Sequence, residues 1–179
     1  MEPTHWVTDT ELKEAAARFD KLMEEAIANE DDVGAMLRSH LLIERTLIEF
    51  LKERFTNPDV LDKGLSRIGY ERLVELGRGL GIAQWMVPPL KKVGEIRNKT
   101  AHDISFVFTS EVALNLRGCF PAEKLDEIEK RYKRSIKESI GKPSVKDTEA
   151  RVQYDMYVST LYIELLTFVE AIRIAKEHG

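Results

Sequence analysis

The segment from Tyr154 to Ala175 places the tightest constraint on what this chain can become. Tyr154, Val158, Leu161, Leu165, Phe168, Ile172 and Ala175 step by four and three residues for three heptads, and Tyr162, Leu166 and Val169 widen the apolar face. A helix this apolar gains most of its stability from packing, so it has to be enclosed within a bundle or in a dimer interface. The rest of the chain supplies the enclosure. Thr8-Asp9-Thr10-Glu11 has the form of a capping box and opens a helix over about residues 9–29, with Leu12, Ala16, Phe19, Met23 and Ala26 at helical spacing. Asp31-Asp32 caps a second helix, whose stripe Val33, Leu37, Leu41, Ile48, Leu51 and Phe55 runs until Asn57-Pro58 ends it.

The stretch that follows is punctuated by Gly64, Gly69, Gly77, Gly79 and Gly81 and supports only short helices such as Tyr70 to Leu76. Pro88-Pro89 suits a helix start, with Leu90, Val93 and Ala101 on one face. Ile104 to Phe108 has no strand partner and reads as a packed loop, followed by a short helix from Ser110 to Arg117. Pro121 opens a highly charged helix to about Ile140, held by Leu125, Ile128, Tyr132 and Ile136 and closed by Gly141-Lys142-Pro143. With 179 residues, 43% apolar and 32% charged, the expectation is a single all-α domain over 1–179, a bundle of long helices with additional short ones.

Charge and motif spacing exclude several classes. The net charge of -4 and a pI near 5.7, with no helix-turn-helix signal, argue against direct DNA binding. In the charged helix, the basic run Lys130, Arg131, Lys133, Arg134 and Lys137 could track a phosphate backbone, but Glu123, Asp126, Glu127, Glu129 and Glu138 interleave with it and the preferred reading is a solvated face. No P-loop, dinucleotide, kinase or zinc-protease spacing occurs, so neither cofactor nor metal is expected. The single cysteine, Cys119, can make no internal disulfide, which fits a cytoplasmic protein, and neither a targeting segment nor a membrane span is expected.

Two charges interrupt the apolar stripes. Glu44 stands where the series Leu37, Leu41, Ile48, Leu51 calls for an apolar side chain, and Arg97 falls in line with Leu90, Val93 and Ala101. Pairing answers both, so a buried Glu44–Arg97 contact is expected, the alternative being that one or both side chains snorkel out at a helix end. His40 shares the side of Glu44, one turn away, and is oriented by that carboxylate or covers the core edge. Asn98 and His102 are also four apart and share a face, whereas Arg97 and His102 are separated by about 140° of helix rotation. Arg97 and His102 therefore meet at one substrate only if the helix frays, if the Arg wraps around, or if two chains contribute. His102 could transfer protons and Arg97 could neutralise phosphoryl charge in a metal-free attack of an RNA 2′-hydroxyl on its own phosphate, with Asn98 holding either partner. A histidine capping its own helix beside Asp103 satisfies the same spacing.

The motif Arg97-Asn98-Lys99-Thr100-Ala101-His102 resembles the Arg-x4-6-His motif of the HEPN superfamily. That resemblance implies a helical bundle; several members are metal-independent ribonucleases acting as dimers with facing motifs, and others have regulatory or binding roles. Ser39-His40-Leu41-Leu42-Ile43-Glu44, Leu80-Gly81-Ile82 and Ser105-Phe106 are similar to the mannitol operon repressor family, over roughly residues 36–176. Thr100 stands where that branch usually carries an aromatic, and residues 121–143 look like a charged helical insertion. The expectation is a homodimeric regulator acting through a protein or RNA partner, the alternative being a ribonuclease using Arg97, Asn98 and His102 supported by Glu44. Lys99 and His40 are candidate RNA contacts.

Overall fold

The computed structural model describes residues 31–58, 68–102, 105–135 and 144–177, with the helical Ala17. The helix expected over residues 9–29 otherwise lies outside the described residues. The described residues after it include six α-helices: α1 (Asp32–Arg54), α2 (Tyr70–Gly79), α3 (Val87–His102), α4 (Ser110–Arg117), α5 (Ala122–Ser135) and α6 (Ala150–Glu177). The fold is an all-α bundle, with no strand among the described residues.

The α6 helix is the post around which the others stand. Tyr154, Tyr157, Val158, Leu161, Leu165 and Val169 are fully or almost fully buried. The apolar width seen in the sequence is consumed inside one chain, because α1, α4 and α5 all pack on α6. Matching contacts fix direction: Ser39 hydrogen-bonds Tyr154 near one end, and Arg173 reaches Glu53 and Glu49 near the other, so α1 and α6 run parallel. The α5 helix runs antiparallel to α6, since Lys124 meets Glu164 while Arg131 meets Met156.

Helix α1 begins where expected. Asp31 is its N-cap, accepting from the Gly34 amide at 2.7 Å, and Phe55 ends it. Its inward face is Ala35, Met36, Ser39, His40, Ile43, Leu47, Phe50 and Leu51, rotated from the expected stripe, so that Leu37 and Leu41 are exposed. The reason is the run Leu41-Leu42-Ile43, which is apolar on every side and leaves the phase of the helix to its neighbours.

The loop before α4 is packed, as expected. Phe108 stacks on Tyr154 with centroids 4.3 Å apart, and its amide donates to Asp32 at 2.7 Å. In α5, Ile128 and Tyr132 are buried and Leu125 half-buried, whereas residues 136–140 lie outside the described residues. One member of the basic run is not solvated: Arg131 donates to the Met156 carbonyl at 2.9 Å and to the Ser159 and Thr160 hydroxyls. Glu129 accepts from Ser144 and from the Val145 amide, tying the return segment to α5.

Candidate functional site

Helix α1, the start of α2 and helix α3 enclose an open cleft of about 790 Å³. Its inner wall is built around His40, which is 3% exposed. The ring lies against Tyr70, centroids 4.4 Å apart, and Tyr70 donates its hydroxyl to the Leu90 carbonyl at 3.1 Å. Burial holds the Tyr70 hydroxyl well above its ordinary pKa, so it remains a donor. Tyr70 can lie this close to α3 only because position 94 is glycine: a Cβ there would come within 2.7 Å of its ring. Gly94 inside a helix is the sequence signal for this close packing, and Tyr70, expected only as the start of a short helix, is its partner.

His40 has no hydrogen-bond partner at Nε2, and its Nδ1 sits 3.8 Å from Glu44 Oε2, beyond hydrogen-bond length. Burial first, and then the positive charge of Arg97, lowers its pKa to about 4, so the ring is neutral at physiological pH. The expected carboxylate neighbour is there, at the edge of a buried position.

The expected buried Glu44–Arg97 pair does not form. Arg97 is exposed and donates to its own neighbour Asn98 at 3.2 Å, while Glu44 is half-buried beside the neutral His40 ring. The cause is again helix phase: Ile96 and Thr100 fill the inward positions of α3, Thr100 returning its hydroxyl to the Ile96 carbonyl at 3.0 Å, and Ala101 is exposed. Glu44 and Arg97 nonetheless face the same cleft.

Asn98 and Lys99 are exposed. Asn98 borders the cleft and also a second groove of about 740 Å³, where Lys99 meets Phe106 and Val107. Helix α3 is continuous through His102, which keeps the backbone positions of Arg97 and His102 about 140° apart and aligns Asn98 with His102. The His102 side chain lies outside what the structure describes. At the cleft, Lys91 pairs with Glu75 and Lys92 with Glu95, whereas Arg72 and Arg97 have no acidic partner among the described residues. No cluster of three metal-ligating side chains occurs among the described residues, and no described helix is long and apolar enough to cross a membrane.

Comparison of the chain with protein-family models, with curated proteins and with solved structures gives no match.

Proposed function

We propose that the chain is a homodimeric cytoplasmic regulator of the mannitol operon repressor type, acting through a protein or RNA partner and not by gripping DNA. The observation that carries this reading is the setting of the motif on α3. Arg97, Asn98 and Lys99 stand outward on a continuous helix, on the ridge between two concave surfaces. An exposed ridge bearing a guanidinium free of acid, an amide and a lysine beside apolar Val107, which is 59% exposed, offers a mixed surface of the kind partners bind. A cutting site in one chain would need Arg97 and His102 to converge, and the unbroken helix works against it.

The ribonuclease alternative keeps one point in its favour: Arg97 carries no carboxylate partner and is available to a phosphate. Incubating the purified chain with mixed RNA in the presence of a chelator, beside His102→Ala, separates the readings. The regulator leaves RNA intact in both samples. Cleavage by the wild-type chain that disappears in His102→Ala would replace the regulator with the ribonuclease.

A further inference from the structure

The inner end of the cleft and its rim ask for opposite chemistry. At the inner end, the Glu44 carboxylate makes no hydrogen bond among the described residues and lies 3.8 Å from Nδ1 of the buried His40 ring. A carboxylate without a partner calls for a donor that is positively charged. The rim is the reverse: Arg97 and Arg72 are exposed with no acidic partner among the described residues, and Asn98 adds an amide beside Arg97. A planar carboxylate is the natural counterpart of a guanidinium.

Charge balance narrows the class further. With Lys91 and Lys92 engaged by Glu75 and Glu95, the unpaired charges bordering the cleft are Glu44 and Glu71 against Arg72 and Arg97. They sum to nothing, so a polyanion gains little there while a molecule with one charge of each sign gains at both ends. Glu44 and Arg97 are more than hydrogen-bond reach apart, with no ion pair between them, which leaves a gap for a small molecule to bridge. The volume of about 790 Å³ is within the ordinary range for small-ligand sites.

We infer that this cleft is a binding site for a free amino acid, its ammonium group on Glu44, beside the His40 ring, and its carboxylate on Arg97 and Asn98. The site stands on the cleft alone and holds whichever partner the ridge engages.

The test is calorimetric titration of the full chain with the standard amino acids one at a time at millimolar concentration, followed by nuclear magnetic resonance of the His40 ring. At least one amino acid should bind and move the His40 resonances. Its N-acetyl and carboxamide forms, each lacking one charge, should bind about tenfold more weakly or worse. Glu44→Gln and Arg97→Gln should each weaken binding by a similar factor. Neither residue is held in an ion pair with the other, so both variants should keep the wild-type circular dichroism spectrum and melting temperature. The proposal is overturned if no amino acid binds, if the blocked forms bind equally well, if both variants bind as the wild type does, or if adenosine monophosphate binds where amino acids do not. RNA cleavage does not enter any of these outcomes, so this site and the regulator reading fail separately.

Discussion

His40 is a histidine kept neutral by its position, and that makes it a measurable acid sensor of the folded state. In the unfolded chain it takes up a proton near the ordinary value of 6.5, and in the folded chain only near 4. Between those values the unfolded state binds more protons, so stability is complete above about pH 6.5 and falls as the pH drops toward 4, by roughly 3 kcal/mol for this group. The His40 ring resonances should titrate with a midpoint near 4, and urea unfolding of His40→Gln should lose less stability between pH 7 and pH 4.5 than the wild type. Glu53, Glu75 and Glu129 have pKa values held below the usual carboxylate range and contribute in the same direction at lower pH, which is why the slope difference between variant and wild type is the readout. Parallel slopes would show that the ring is not held neutral. Arg97 gives the complementary expectation: exposed and unpaired with Glu44, it should tolerate Arg97→Ala within about 0.5 kcal/mol in thermal unfolding. A loss of several kcal/mol would mean that the buried pair expected from the periodicity exists after all.

At the scale of the helices, what was legible depended on how sharply polar residues bracket the apolar ones. The face of α6 could be read because Tyr154, Val158, Leu161, Leu165 and Phe168 form one unambiguous run, and all are buried. The limits of α4 could be read because Ser110 follows a capping Thr109 and Gly118 closes the helix. Phase was lost in α1 and α3, where adjacent apolar residues such as Leu41-Leu42-Ile43 and the shifted set Ile96 and Thr100 allow more than one inward face. A one-residue slip of phase turned Glu44 and Arg97 into a buried pair on paper and into two unpaired walls of a cleft in the structure. The cleft itself could not be read, because Gly94 signals a close approach to α3 but no local pattern names its partner, Tyr70, 24 positions away. In α5 the composition hid a structural arginine within a solvated run. Removing its three hydrogen bonds to α6 should cost about 1–3 kcal/mol in Arg131→Ala, while exposed Lys130→Ala should be nearly neutral, both measured by thermal unfolding. Equal effects would mean that Arg131 contributes only surface charge.

For the whole molecule, the argument for a second copy has to rest on a surface other than α6, whose apolar girth is already covered by α1, α4 and α5. The strongest remaining feature is on α1. Leu37 and Leu41 are 37% and 54% exposed, one turn apart, and the same line along the helix continues to Glu44 at the cleft. A two-fold dimer uses one patch on both chains, so an apolar stripe that can meet its own copy is suited to that symmetry, and it would bring two clefts to the edges of one interface. Burying four leucines instead of leaving them in water is worth a few kcal/mol, roughly, a useful share of what a micromolar dimer needs. The double substitution Leu37→Glu with Leu41→Glu should therefore lower the mass measured by light scattering from two chains to one at micromolar concentration, with the helical circular dichroism spectrum unchanged. Leu114→Glu, at the more exposed but isolated Leu114 of α4, should leave the proposed dimer intact. A wild-type chain that stays monomeric through that range ends the dimer, and a dimer broken by Leu114→Glu but not by the double variant moves it to α4, away from the cleft.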